Sequence, residues 1–94
     1  MTDVYRALAD PTRRAILDLL VERDGRTLFD LCTTLAGSGV SSSRQAISQH
    51  LTVLEEAGLV RSARAGRTKV HHIRTEPLRE IPRRWPTDRE DGDR

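Results

Sequence analysis

Gln45, Ser48, Gln49 and Thr52 fall at helical spacing within "SSSRQAISQHLTVLEEAGLV", residues 41–60, and so share one side of a helix whose other side carries Ile47, Leu51 and Leu54. An ordinary solvated face favours Glu, Lys and Arg, which are strong helix formers; this one is polar and uncharged. Short amides and hydroxyls both donate and accept. Such groups suit the base edges of a duplex: a glutamine pairs with adenine N6 and N7, and a hydroxyl serves several bases. A carboxylate there would be repelled by phosphate. Arg44, near the helix N-terminus, adds a fork that fits guanine or a phosphate, at the end where the helix dipole also favours anions.

A second cluster lies in "LVRSARAGRTKVHHI". Arg61, Arg64, Arg67 and Lys69 have no acidic residue among them, whereas a solvated hairpin mixes signs. β-Branched residues alternate on both sides of Ala65-Gly66-Arg67, which predicts a hairpin whose glycine supplies the turn. Charge along the chain agrees. Of 94 residues, 16 are Lys or Arg and 14 Asp or Glu; residues 1–40 carry a net −1, residues 41–70 a net +3 and residues 71–94 zero. All but one of the cations are arginine, which outperforms lysine where a planar fork meets phosphate or base edges. A cationic middle with balanced flanks implies a polyanionic partner.

The elements that must position these clusters are legible upstream. "TDVYRALAD" is a short helix with Val4 and Leu8 one turn apart. "ADPTRRAILDLLVERDG" starts a second, with Asp10 as N-cap, Pro11 at the first helical position and Gly25 closing it. Ile16, Leu19 and Leu20 form its core stripe, and Leu17 and Val21 widen the apolar face for packing on two sides. "RTLFDLCTTLAGSG" gives a third, capped by Thr27, with Leu28, Leu31, Cys32 and Leu35 on one face. Ser42 followed by Gln45 matches a capping box for the fourth helix, and Gly58 stops it. After the hairpin, "EPLREIPRRW" offers one or two helical turns before Pro82 and Pro86, and "PTDREDGDR" is too polar to pack.

The remaining reactive side chains point away from catalysis and metal binding. Cys32 is the only cysteine, lies on an apolar face, and reads as a small core hydrophobe. His71 and His72 are neighbours in a strand and so point to opposite faces, which argues against joint coordination. His50, beside Leu51, reads as a packing residue or a donor to backbone or phosphate. No nucleophile, base and orienting group converge at readable spacing, so an enzyme is not expected; nor is any cofactor or metal.

Three helices, a fourth with this face and a basic hairpin make a winged helix-turn-helix: mainly α with a small β-hairpin wing, in the order α-α-α-α-β-β with a short C-terminal helix. The two segments "YRALADPTRRAILDLL" and "SRQAISQHLTVLEEAGLVRSARAGRTKVHHI" resemble the signature segments of the ArsR/SmtB family of bacterial winged-helix transcriptional repressors. The Ala-Asp-Pro-Thr-Arg entry, the run Ser48, His50, Leu51 and Leu54, the Ala-Gly-Leu-Val exit and the Gly-Arg wing tip occur in the family's order. The resemblance implies homodimers that bind inverted-repeat operators and release them on a signal. It places recognition-helix positions on Ser43, Arg44, Gln45, Ser48, Gln49 and His50, to which the polar face adds Thr52. The sequence departs from the metal-sensing members, which carry Cys-x-Cys where this chain reads "LFDLCTTLA", and is more similar to metal-independent members.

Residues 1–86 are therefore expected to form one DNA-binding and dimerisation domain, and residues 87–94 a disordered polar tail. The family's dimer interface uses the first and last helices, which here offer Val4, Tyr5 and Leu8, and Leu78, Ile81 and Trp85. Double-stranded DNA and a second copy are the expected partners, with the effector unknown. No transmembrane run or signal peptide is present, so the chain reads as cytoplasmic. The alternative is a winged-helix module that binds protein or RNA without operator recognition.

Overall fold

Charge and proline build the joint between the first two helices. In the computed structural model, which describes residues 3–87, Val4–Leu8 forms α1, and the Asp3 carboxylate caps it by accepting from the Arg6 N–H at 2.7 Å. Pro11–Glu22 forms α2. Asp10 is its N-cap, accepting from the Arg13 N–H at 3.1 Å, and Pro11 takes the first turn, where no backbone donor is needed. The next two arginines turn back: Arg13 donates to Ala7 O at 2.8 Å and Arg6 O at 3.2 Å, and Arg14 to Leu8 O at 2.7 Å. These carbonyls lie at the end of α1, where backbone donors run out, although Arg6 O also accepts from the Ala9 N–H at 3.2 Å. The Ala-Asp-Pro-Thr-Arg segment is thus a joint in which Asp10 and Arg13 hold the two helices together.

Gly25, at φ 78°, turns the chain into β1, Arg26–Thr27, a strand the sequence pattern does not announce. Thr27 then caps α3, Leu28–Gly37, by accepting from the Asp30 N–H at 3.1 Å. The fourth helix, α4, spans Arg44–Glu56. Its cap is Ser43, not Ser42: the Ser43 hydroxyl accepts from the Ala46 N–H at 3.0 Å, so Gln45 takes no part in a capping box and stays available. At the other end Leu59 N–H bonds Leu54 O at 2.9 Å and Gly58 N–H bonds Glu55 O at 3.0 Å, a paired closure that needs the left-handed Gly58 at φ 78°.

The strands β2, Val60–Ala65, and β3, Thr68–Ile73, pair antiparallel, and β1 adds to the far side of β3. The expected two-stranded hairpin is therefore a three-stranded sheet in the order β1-β3-β2, with Arg26 opposite His71 and Thr27 opposite Val70. Ala65 faces Thr68, leaving Gly66 and Arg67 as a two-residue turn. Gly66 has φ 66°, while no non-glycine among the described residues has positive φ, as a type II′ turn requires.

Ile16, Leu20, Leu31, Ile47, Leu54 and Leu59 are the largest fully buried side chains, so α2, α3, α4 and the root of β2 share one core. Arg26 is the buried charge, 6% exposed: it donates to Leu19 O and Arg23 O and pairs with Asp30 at 3.0 Å and Glu22 at 3.2 Å. It fastens the end of α2 to the start of α3. Val21 departs from expectation, standing 70% exposed; only Leu17 of that pair joins the core. After β3 a 3-10 turn, Glu76–Arg79, leads directly into α5, Glu80–Arg84. Pro82 does not stop α5. It is the third helical residue, where the missing N–H belongs to the set without partners in any first turn.

Candidate nucleic-acid interface

α4 sorts its side chains cleanly. Ile47, Leu51 and Leu54 are 3% exposed or less, whereas Ser43, Arg44, Gln45, Ser48, Gln49 and Thr52 are all exposed. Arg44, Ser48 and Thr52, each four residues apart, line a groove of about 380 Å³ between α4 and the wing, opposite Arg67 and Lys69. Gln45 and Gln49 are not part of that lining. Helical spacing places them one turn apart on the outward side. Glu55 at the groove floor accepts a hydrogen bond from the Ser62 hydroxyl, which anchors its carboxylate to the wing root.

The four wing cations are exposed but do not share a face. Pairing sets Arg64 opposite Lys69, on the same side of the sheet as the buried Val60 and His71. Arg61 is opposite His72 on the other side. Arg67 occupies the turn. The structure thus brings Arg67 and Lys69 to α4, with Arg64 beside Lys69, and separates Arg61 from them.

His50 is half-buried and turned toward α2. Its Nδ1 is 3.1 Å from Arg13 Nη1 and its Nε2 is 3.9 Å from Asp10 Oδ2. It lies at the seam of two helices, apart from the outward glutamines. Burial raises the Asp10 pKa, but the Arg13 and Thr12 backbone N–H groups and the Arg13 charge outweigh it and hold the carboxyl below its usual range.

The other histidines are also engaged. Buried His71 places Nδ1 3.0 Å from Arg26 O. His72 Nδ1 is 2.9 Å from Asp24 Oδ2, and Asp24 Oδ1 accepts from the Ile73 N–H at 2.8 Å. Burial again raises the Asp24 pKa, and these hydrogen bonds more than reverse it. Cys32 is half-buried against the core cluster. Among the described residues no three of His, Cys, Asp and Glu gather as a metal would need.

Outside the groove lining, Tyr5 and Trp85 meet edge to face with ring centroids 5.7 Å apart. The Arg84 guanidinium lies 4.6 Å from the Trp85 centroid and 5.5 Å from that of Tyr5. Trp85 stays 54% exposed, and Leu8, Leu78 and Ile81 are half-buried. Val4, by contrast, is 6% exposed within the protomer and contributes little to any outer surface. Residues 88–94, most of the expected polar tail, lie outside the described residues, and no helix among the described residues is long and apolar enough to cross a membrane.

Two features escaped the sequence reading. Phe29, 66% exposed, lines the groove between α4 and the wing; its signal was an aromatic standing off the Leu28, Leu31 and Leu35 stripe. Arg13 and Arg26 are structural clamps, which no local pattern distinguishes from solvated charge.

Residues 8–63 match the family described as a helix-turn-helix domain. An uncharacterised helix-turn-helix-type transcriptional regulator of Bacillus subtilis strain 168, YuzN, is 46% identical over 83 residues, covering 87% of this chain and 90% of its own. The transcriptional repressor SdpR of the same organism is 34% identical over 80 residues, covering 85% and 82%. Among solved structures, an ArsR-like transcriptional regulator from Rhodococcus sp. RHA1 superimposes with a TM-score of 0.74 at 34% identity, covering 86% of this chain and 69% of that one.

Proposed function

The chain belongs to the ArsR family of winged helix-turn-helix transcriptional regulators, and from that premise we propose that it is a homodimeric repressor of the metal-independent type, acting on an inverted-repeat operator. DNA binding and transcriptional regulation come with the family, which is not enzymatic. The observation that carries the finer reading is the exposed, uncharged polar face of α4 standing next to Arg67 and Lys69 of the wing.

In this reading α4 enters the major groove. Gln45 and Gln49 read base edges, Ser48 and Thr52 contact the sugar-phosphate backbone beside them, and Ser43 and Arg44 seat the helix N-terminus against that backbone. Arg64, Arg67 and Lys69 grip the neighbouring backbone from the wing, with Arg61 reaching it from the sheet's other face. His50 positions α4 through α2. Tyr5, Leu8, Leu78, Ile81 and Trp85 supply the surface on which two copies meet, because a chain of this size gains stability by burying surface against a partner. The half-buried Cys32 and the engaged His71 and His72 favour a signal other than a metal ion, so Zn²⁺ or arsenite at stoichiometric levels should leave the operator bound.

Selection on random duplexes, with affinities measured against salt, tests the reading. A dimer making about six to ten phosphate contacts loses roughly 10³ to 10⁵-fold in affinity between 50 and 200 mM salt. Arg64→Ala and Arg67→Ala should weaken all duplexes with the preferred sequence unchanged. A flat salt response would favour the alternative, a protein-binding winged module.

A further inference from the structure

Phe29 is a large apolar side chain, 66% exposed, in a groove whose lining also includes Arg44, Ser48 and Thr52 of α4 and Arg67 and Lys69 of the wing. Its place is firmly set. It is the second residue of α3, whose N-cap Thr27 is also paired with Val70 of β3. The same two-residue strand therefore fixes Phe29 relative to both the helix bundle and the wing. None of the packing described above uses its ring.

We propose that this groove seats one sugar-phosphate strand of the duplex, and that Phe29 packs on its deoxyribose while the surrounding cations hold the phosphates on either side. The inference rests on the DNA-binding geometry proposed above and adds a contact to it. When a recognition helix lies in the major groove and a wing over the adjacent minor groove, the strand that separates those grooves runs between the two elements. Whatever lines the space between α4 and the wing then meets backbone and not base edges. The chemistry of the lining matches that strand. Arg44, Arg67 and Lys69 complement phosphate, the hydroxyls of Ser48 and Thr52 can donate to phosphate oxygens, and the one acid, Glu55, is tied to Ser62. Deoxyribose is the apolar part of the backbone, and the phenyl ring, beside half-buried Leu28 and buried Leu51, is the most exposed apolar group of the groove. Covering the ring gives a gain from water exclusion that carries no sequence information and no charge.

That combination predicts a signature distinct from every other contact in the interface. Phe29→Ala should lower affinity about tenfold per subunit, equally for cognate and non-cognate duplexes. The slope of log affinity against log salt should stay at the wild-type value, since no counterion is released by a ring. Arg67→Ala, in contrast, should reduce that slope by about 1 per subunit. Phe29→Leu should recover most of the loss, because an apolar side chain of similar reach is restored. Thermal unfolding of Phe29→Ala should match wild type, given the exposure of the ring, and confirms that the folded protein is being compared.

Titration of labelled duplexes into wild type, Phe29→Ala, Phe29→Leu and Arg67→Ala at several salt concentrations, with sedimentation of each variant, decides the matter. Wild type that bound no duplex would overturn both this inference and the function it rests on. Wild-type binding with an undiminished Phe29→Ala variant would overturn the inference alone. So would dissociation of a wild-type dimer by Phe29→Ala, which would assign the ring to a protein interface, or a loss confined to one duplex sequence, which would place it on a base.

Discussion

His50 Nδ1 lies 3.1 Å from Arg13 Nη1, and the same guanidinium donates to the last carbonyls of α1. Because a guanidinium can only donate, Nδ1 is the acceptor and the ring proton sits on Nε2, facing Asp10. One arginine thereby ties α1, α2 and α4 together. His50→Ala should lower unfolding free energy by about 1–2 kcal/mol, the worth of a hydrogen bond to a charged donor with its packing. The duplex motif recovered by selection should not change; a changed base preference would place His50 on DNA instead.

Gln45 and Gln49 are exposed, one turn apart and outside the groove lining. Replacing either with Ala should cost about 1–3 kcal/mol on the cognate site and relax preference at one position per half-site. Nonspecific affinity should hold. Selections with the two variants that returned the wild-type motif would remove them from base readout.

Trp85 packs edge to face on Tyr5 under Arg84 yet keeps 54% of its surface exposed. An aromatic anchored on one side and open on the other is the kind of side chain that dominates an interface. Trp85→Ala should weaken dimerisation by about 2 kcal/mol or more, and operator affinity with it. Deleting residues 87–94 should change neither. Sedimentation at micromolar concentration checks this, and a Trp85→Ala dimer as tight as wild type would contradict it.

Asp24 has a pKa held below its ordinary value of 3.8 by His72 and the Ile73 N–H, against the upward effect of burial. A carboxylate depressed in the folded state stabilises fully above its unfolded pKa and loses that contribution as pH falls through the folded value. Asp24→Asn should therefore lower stability near pH 7 and flatten the decline in melting temperature below about pH 4. Parallel melting curves for the two proteins across pH 2–7 would refute it.

The four main helices and the wing were legible because each carries its own local code: Asp10-Pro11, the Ile47, Leu51 and Leu54 stripe, and Gly66 between alternating runs. β1 was not, since two residues have no periodicity and Arg26 looks like any solvated cation until Leu19, Arg23 and Asp30 surround it. The cap of α4 was misplaced by one residue because Ser41, Ser42 and Ser43 are chemically equivalent, and only the Ala46 N–H distinguishes them. Pro82 misled for a related reason. A proline breaks a helix interior but not a first turn, and where the turn begins depends on the 3-10 segment before it. Within the interface, the type of each polar residue on α4 was readable, whereas the division of wing cations between sheet faces required the β2–β3 register.

The pairing of β1 with β3 also carries an entropic cost that the rest of the sheet does not. The hairpin can zip outward from Gly66, and α2, α3 and α4 close on neighbours nearby in sequence. His71, however, must find the Arg26 carbonyl across a separation of 45 residues. Closing so long a loop is entropically demanding until the segments between are already compact. The strand that joins the wing to α3 is accordingly the piece of the sheet with the costliest loop to close, while Val60 in the core and the Ser62–Glu55 bond hold the wing root independently of it.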